Sequence, residues 1–250
     1  MNERATEVAN RDSAGAAARI EAIEWSNVAI ELDLQGSAVL EGLVSHDECD
    51  ALAEHYALDK PFRSRVVMQR HGFGRGEYKY FDYPLPPLVA QLRRSLYPKL
   101  VPIANDWHQA LGNTVRFPAQ HAAFIERCHG AGQVLPTPLL LPLRYVVGDY
   151  NCLHQDLYGE HVFPPQVIVL LSEPGRDFEG GELVMTEQRP RMQSRAHVLA
   201  LRQGDAAVIA VSHKPLRGTR GVYRVNLRHG VSRVRSGSRH TAGIIFHDAR

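Results

Sequence analysis

Two histidines and one aspartate, distant along the chain, constrain its fold more than any other feature. His154 and Asp156 stand two residues apart, and His229 follows Asp156 by 73 residues. If the segment from Cys152 to Asp156 is extended, residues i and i+2 share a face, so His154 and Asp156 point the same way. Two imidazoles and one carboxylate suit Fe(II) or Mn(II), with coordination positions left open, and the lack of thiolates argues against structural zinc. We therefore predict a metal site formed by His154, Asp156 and His229.

The choice of His229 depends on the strand around it, because other histidines also follow Asp156. They are His161, His197, His213, His240 and His247. The segment Tyr223–His229 alternates apolar and polar residues, which predicts a half-buried strand with His229 on its core-facing side. The runner-up, His213, lies in a loop-like segment. Ten residues beyond His213 stands a tyrosine rather than a base.

A basic residue stands ten positions after His229, at Arg239. It begins a second strand-like segment, Arg239–Phe246, after the turn-like Ser236-Gly237-Ser238. The strands on either side of this turn are predicted to form a hairpin, which would let His229 and Arg239 reach a common pocket.

Short motifs stand around these residues in a defined order. They are Leu143-Arg144-Tyr145, Gly180-Gly181-Glu182-Leu183, Gly204-Asp205-Ala206, His229-Gly230-Val231-Ser232 and Ser236-Gly237-Ser238-Arg239. Together with the triad, this order resembles the Fe(II)/2-oxoglutarate-dependent oxygenase superfamily, in particular its prolyl-hydroxylase-like branch. The resemblance extends from Leu139 to His247, which is under half of the chain.

The resemblance implies a fold, a set of cofactors and a reaction. The fold would be α+β, with a double-stranded β-helix (jelly-roll) core and N-terminal supporting helices. Fe(II) would be the metal, with 2-oxoglutarate and O2 as co-substrates of a dioxygenase. The enzyme would couple decarboxylation of 2-oxoglutarate to succinate with hydroxylation of a substrate C–H bond. Arg239 would pair with the distal carboxylate of 2-oxoglutarate, with Tyr145 and Thr241 assisting.

The N-terminal half is predicted to be mainly helical. Ala14–Trp25 is rich in alanine, and Ser45-His46-Asp47-Glu48 is a capping-box pattern that opens a helix through about Ala57. Pro86–Leu111 has the apolar spacing of one or two helices, which Pro98 and Pro102 are expected to bend or break. A short helix is predicted over Ala119–Cys128. We divide the chain into residues 1–135, the helical support with a substrate-facing insert, and residues 136–250, the oxygenase domain.

The insert is the segment Arg63–Phe81. It combines five Lys or Arg residues, four aromatic residues and three glycines with a single acid. Cations and stacking rings on a flexible segment suit a lid over a flat or anionic substrate, including a nucleobase. The alternative is a glycine-rich hairpin whose rings pack on the core and whose arginines are solvated.

The substrate stays open between several hypotheses. One is hydroxylation of a small molecule, an amino acid or a protein side chain. A second is oxidative demethylation of an alkylated DNA base, flipped into the pocket, because the chain also resembles bacterial oxygenases labelled as oxidative dealkylases of damaged DNA. The two-arginine ending of AlkB-type repair enzymes is not reproduced here. A third is a binding or sensor protein without turnover.

Composition favours a cytoplasmic protein without a membrane partner. No apolar run approaches the roughly 20 residues of a membrane span, and the first residues do not predict a signal peptide. The three cysteines have no disulfide or zinc spacing. A net charge of +2 is far from that of a dedicated nucleic-acid binder. The sequence assigns no oligomeric state.

Overall fold

The computed structural model describes residues 15–58, 62–136, 142–157 and 159–249. Within these ranges the strands are β1 (Ser37–Leu40), β2 (Phe62–Val67), β3 (Gly74–Arg75), β4 (Glu77–Phe81), β5 (Leu135–Pro136), β6 (Pro142–Val146), β7 (Tyr150–His154), β8 (Pro165–Leu170), β9 (Phe178–Gly180), β10 (Leu183–Gln188), β11 (Arg195–Leu199), β12 (Ala206–Ala210), β13 (His213–Gly218), β14 (Gly221–Val231), β15 (Val234–Ile244) and β16 (Asp248–Ala249). The helices are α1 (15–21), α2 (Trp25–Gln35), α3 (His46–Glu54), α4 (Pro87–Ala110) and α5 (His121–Gly130). Two 3-10 turns cover His55–Ala57 and Met68–His71.

Two antiparallel sheets form the centre of the molecule. Among the described residues, the major sheet has eight strands in the order β1-β12-β8-β15-β6-β4-β2, with β9 attached to β15. The minor sheet has six, in the order β11-β10-β14-β7-β3, with β13 attached to β14. One apolar core contains residues of both sheets, among them Val167 and Ile244 from the major sheet and Met185 and Leu227 from the minor sheet.

The predicted fold class, α+β with a jelly-roll core and N-terminal helices, is confirmed. Leu32 of α2, Leu52 of α3 and Leu96 of α4 belong to the same buried cluster as the sheet residues, so these helices support the sheets. The capping box predicted at Ser45 is present and begins α3. Of the helix predicted over Ala14–Trp25, residues 15–21 form α1, but the helix ends there, and residues 22–24 separate it from α2. Ala14 lies outside the described residues.

Helix α4 is continuous, although its two prolines were expected to bend or break it. Pro98 and Pro102 both lie within it, on its exposed face. Each proline leaves the carbonyl four residues earlier without its helical partner, and water can solvate that carbonyl on this face. The opposite face is buried along the whole helix, from Val89 to Trp107. Within the described ranges, the structure contains no helix long and apolar enough to cross a membrane.

The predicted hairpin of the two C-terminal strands is wrong. Strand β14 pairs with β7, β10 and β13 in the minor sheet, whereas β15 pairs with β6, β8 and β9 in the major sheet. The predicted turn at Ser236-Gly237-Ser238 lies inside β15, which has a bulge between Val234 and Ser236. Strand alternation identifies the buried face of each segment but not its partner, and these two consecutive strands enter opposite sheets.

The N-terminal half contributes strands as well as helices. Strand β1 pairs with β12, and β4 pairs with β6, so the major sheet crosses the boundary predicted between residues 135 and 136. The insert Arg63–Phe81 contains β3, β4 and most of β2, and its β2–β4 pair extends the major sheet. Part of the largely apolar segment Leu139–Val147 lies outside the described residues. Its described portion is β6.

Candidate metal centre and its pocket

Neighbouring strands of the minor sheet bring the three predicted metal ligands together. His154 is the last residue of β7, and it lies directly opposite His229 of β14 in the strand register. Asp156 follows two residues after His154, just beyond the end of the strand. Ligand atoms of the three side chains all lie within 4.8 Å of one another. The arrangement is compact enough for one ion.

The carboxylate of Asp156 lies between the two imidazoles. Its Oδ1 is 3.3 Å from Nε2 of His154, and its Oδ2 is 3.1 Å from Nε2 of His229. Asp156 is 1% exposed and His229 is 4% exposed. The Nδ1 atom of His154 is 2.8 Å from the carbonyl oxygen of Cys152. This contact places the proton on Nδ1 and leaves Nε2 with a lone pair for a metal.

The pKa values of the three ligands reflect burial and mutual attraction. Burial alone would raise the pKa of Asp156, but the two imidazoles outweigh it and hold that pKa below its usual range. Burial lowers the pKa of His229, since desolvation there exceeds the attraction of Asp156. At His154 burial also acts to lower the pKa, but the hydrogen bond and charge of Asp156 raise it overall. Asp156 is therefore ionised at neutral pH, as a metal ligand has to be.

Sequence analysis missed one residue of this centre, Gln166. It lies on β8, is 2% exposed, and its Nε2 donates to Oδ2 of Asp156 at 2.8 Å. The available signal was a single amide in the strand Pro165–Leu170, whose other residues are proline, valine, isoleucine and leucine. A polar side chain in such a strand has to find a buried partner.

Arg239 lies between the sheets without a partner for most of its guanidinium group. It is 2% exposed, and its Nε and Nη1 atoms have no hydrogen bond within the described part of the chain. Its guanidinium carbon is 5.7 Å from the ring centre of Tyr145 and 5.9 Å from that of Phe178. Burial lowers the pKa of Arg239 to about 10, so it stays positively charged at neutral pH.

The other two predicted contacts with the co-substrate lie beside Arg239. Tyr145 is its direct partner in the register between β6 and β15, and Thr241 is two residues further along β15. Both side chains are buried. Burial raises the pKa of Tyr145, so its hydroxyl is protonated.

Two glycines make room for this group. Gly181, in the predicted Gly-Gly-Glu-Leu turn, has φ +64°, and a Cβ there would lie 2.8 Å from Cδ of Arg239. Gly76, in the insert, has φ +131°, and a Cβ there would lie 2.9 Å from the ring of Tyr145. A larger side chain at either position would both strain the backbone and displace the pocket residue.

The candidate metal ligands and the residues around Arg239 line one cavity of about 240 Å³. It is mainly apolar, and its wall contains all three ligands together with Arg239, Tyr145, Thr241 and Gln166. Residues of the insert complete it: Met68, Phe73, Tyr78 and Tyr80. The insert thus forms a hairpin within the major sheet and also one side of the pocket. Its action as a lid stays a prediction.

The competing histidines lie elsewhere. Within the described ranges, the pocket wall includes none of His161, His197, His213, His240 and His247. His213 contacts Ser212 instead, and burial lowers its pKa to about 4.

Comparison with known proteins agrees with this geometry. Residues 76–249 match the family Oxygenase-NA, described as "Oxygenase, catalysing oxidative methylation of damaged DNA". Over 169 residues the chain is 46% identical to an uncharacterized protein found in two strains of Mycobacterium tuberculosis, which covers 68% of this chain and 72% of the relative.

Solved structures show the same fold at low identity. An oxidoreductase of the 2OG-Fe(II) oxygenase family from Burkholderia pseudomallei has a TM-score of 0.51 at 16% identity, over 91% of this chain and 93% of that one. A prolyl hydroxylase from Trichoplax adhaerens, in complex with a peptide of hypoxia inducible factor, has a TM-score of 0.51 at 12% identity, over 88% and 86%. The jelly-roll core, the His-Asp-His cluster and the match over most of the sequence lead to one conclusion: the chain belongs to the Oxygenase-NA family of oxygenases.

Proposed function

We propose that this protein is a non-haem Fe(II)- and 2-oxoglutarate-dependent dioxygenase that couples the decarboxylation of 2-oxoglutarate to succinate with hydroxylation of a substrate C–H bond. One observation carries the proposal. A buried arginine that forms no ion pair with the described residues shares a cavity with a cluster of two histidines and one aspartate. The cluster suits a divalent metal, and the arginine suits the free carboxylate of a ligand that also reaches the metal.

His154, Asp156 and His229 would hold the metal. The donor set fits Fe(II), since it has imidazole nitrogen and carboxylate oxygen but no thiolate. When bound, Fe(II) with 2-oxoglutarate and O2 supplies the oxidising chemistry. The chain holds Asp156 ionised, presents Nε2 of His154 through the carbonyl of Cys152, and surrounds the site with apolar side chains that exclude water.

Arg239 would bind the distal carboxylate of 2-oxoglutarate. Its Nε and Nη1 atoms are buried and unpaired within the described residues, and burial without a partner is costly for a cation. A carboxylate bound at the guanidinium group would accept a hydrogen bond from one of these atoms and restore charge balance. Thr241 and the protonated hydroxyl of Tyr145, which line the same cavity, would donate to the same ligand.

The decisive experiment separates co-substrate binding from turnover. Protein is loaded anaerobically with Fe(II) and titrated with 2-oxoglutarate, and binding is measured by the visible charge-transfer absorption of the complex. Succinate is then measured after O2 is admitted. We expect Asp156→Ala to lose iron and succinate, and Arg239→Ala to keep iron but lose 2-oxoglutarate binding. The matched control is Arg235→Ala, which removes an exposed arginine from the same strand. Iron-loaded wild-type protein that binds no 2-oxoglutarate would contradict the proposal.

Oxidative demethylation of alkylated DNA bases is the second candidate reaction, favoured by the family description and by the pocket entrance. Phe73 lines the pocket, is 48% exposed and stacks on His71, with ring centres 5.4 Å apart and planes at 22°. Arg70 and Arg75 are exposed on either side of this pair in the sequence. Exposed rings between cations suit the stacking of a base and contact with its phosphates.

A binding assay with methylated single-stranded DNA tests this candidate. Each lost phosphate contact on a single strand lowers the slope of log affinity against log salt by about 0.7, so the double variant Arg70→Ala/Arg75→Ala should lower it by about 1.4. Phe73→Ala should weaken binding without changing the slope. Arg224→Ala, an exposed arginine on the outer side of β14, is the control. Formaldehyde release must accompany binding. A salt-independent affinity, or no formaldehyde from an enzyme that forms succinate, would favour hydroxylation of another substrate.

A further inference from the structure

Gln166 has an unusual position for a glutamine. Its neighbours in β8 are Pro165 and Val167, both buried, and the strand is sandwiched between β12 and β15 in the major sheet. Its side chain enters the pocket on the same face as Ile168. Burying an amide in such surroundings is unfavourable unless its hydrogen-bonding groups are satisfied.

In the described part of the chain, the side-chain hydrogen bonds of Gln166 go to the candidate metal ligands. Its Nε2 donates to Oδ2 of Asp156 at 2.8 Å and lies 3.2 Å from Nε2 of His229. Its Oε1 is buried and has no hydrogen bond within the described ranges. The amide is therefore oriented by the carboxylate of Asp156, since the reverse orientation would set oxygen against oxygen.

Two other glutamines show what a structural amide looks like in this fold. Nε2 of Gln155 donates to the backbone carbonyls of Ser212 and Leu227, at 2.7 and 2.8 Å. Nε2 of Gln203, which is 4% exposed, donates to the carbonyl of Leu171 and to Asp50. Both link segments of backbone, whereas Gln166 makes no such contact in the described part of the chain and bonds only to the proposed ligands.

We propose that Gln166 is a positioning residue that holds Asp156 as a ligand through one oxygen; the inference rests on the metal site proposed above. Its amide occupies Oδ2, which leaves Oδ1 for the metal. Three ligands that each give one atom would leave coordination positions of the metal open for the co-substrates. A carboxylate that bound through both oxygens would take one of these positions.

Co(II) binding to the metal-free protein tests the inference without turnover. Gln166→Met keeps the length and approximate volume of the side chain but removes the donor. Loss of such an outer hydrogen bond typically weakens metal affinity by about 10- to 100-fold, and we expect that range for this variant. The visible spectrum of bound Co(II) should also change, because it reports the number of ligand atoms. Gln203→Met, which removes a buried amide away from the site, should lower the melting temperature without altering Co(II) affinity or spectrum.

Each outcome discriminates. If Gln166→Met binds Co(II) with the wild-type affinity and spectrum, the inference is overturned, while the proposed function stands. If the wild-type chain binds no Co(II), the proposed function itself fails. Melting of the metal-free variants separates folding from metal binding. If Gln166→Met does not fold, Gln166→Leu takes its place, because leucine suits a buried strand. The inference then requires Gln166→Leu to bind Co(II) at least about tenfold more weakly than wild type.

Discussion

Arg239 carries its charge between the two sheets with 2% of its surface exposed. The surrounding groups are largely apolar or aromatic, and Glu182 is the acid that acts on its pKa. Burial of a charge without a close partner destabilises the folded state of the free protein. The buried charge of Arg239 is therefore expected to lower the stability of the free protein, and such a cost is common at sites prepared for a ligand.

Replacement of Arg239 should therefore separate stability from binding. Arg239→Met removes the buried charge but keeps a long side chain, so the ligand-free protein is expected to melt at a higher temperature than wild type. The melting temperature of wild type should rise with 2-oxoglutarate, whereas that of the variant should not. Differential scanning calorimetry with and without the ligand measures both effects. A lower melting temperature of the ligand-free variant would show that Arg239 stabilises the fold by contacts of its own.

At the scale of elements, local signals in the sequence were sufficient where short-range hydrogen bonds form the structure. Ser45 and Glu48 form the capping box of α3: the Ser45 hydroxyl accepts from the Glu48 amide at 3.3 Å, and the Glu48 carboxylate accepts from the Ser45 amide at 2.7 Å. Glu48 also bonds to Arg19 of α1. The partners of β14 and β15, in contrast, could not be obtained from their own residues, because pairing depends on the path of the whole chain.

The cap of α3 gives a prediction at this scale. Ser45→Ala should lower the free energy of unfolding by about 1 kcal/mol, because the first turn loses the hydrogen bond that satisfies its amide. Urea denaturation followed by circular dichroism measures the change. Asp47→Asn, in the same turn but outside the capping box, should cost less. Equal losses for the two variants would indicate that charge near the helix start, rather than the cap, is responsible.

At the scale of the whole molecule, the two halves of the sequence are held together by a buried ion pair. Asp248 of β16 is fully buried and accepts from Nη2 of Arg93 in α4 at 2.7 Å. Arg93 also donates to the carbonyls of Ile245 and His247. With β1 and β4 in the major sheet, these bonds make residues 1–135 and 136–250 interdependent.

Removing one partner of this ion pair should strongly lower the free energy of unfolding. Asp248→Ala leaves Arg93 buried without its carboxylate, for which about 3–5 kcal/mol of stability is typically lost. Chemical denaturation measures it. Arg176→Ala, which breaks an exposed pair with Asp177, is the control and should have a much smaller effect, because water screens that pair. A loss at Asp248 no larger than at Arg176 would contradict the assignment.

Acid should destabilise the whole molecule partly through two half-buried histidines, His121 and His213. Burial lowers the pKa of His121 and of His213 from 6.5 to about 4. Between pH 6.5 and 4 the unfolded state thus binds more protons than the folded state, so stability falls as the pH falls through this range. His121→Gln cannot titrate, so its unfolding free energy should depend less steeply on pH there. An unchanged slope would contradict the shift assigned to His121.

The sequence alone determined the chemistry of the site and the class of the fold. The spacing of His154 and Asp156 and the alternation before His229 are local properties, and strand geometry converts them directly into side-chain direction. Tertiary structure alone decided which strands meet. It placed His229 opposite His154, sent β14 and β15 to different sheets and brought Gln166 against Asp156. It also left Nε and Nη1 of Arg239 without a hydrogen bond among the described residues. These contacts join residues distant in sequence. Backbone hydrogen bonds between strands are the same for every residue type, so the sequence of one strand does not identify its partner strand.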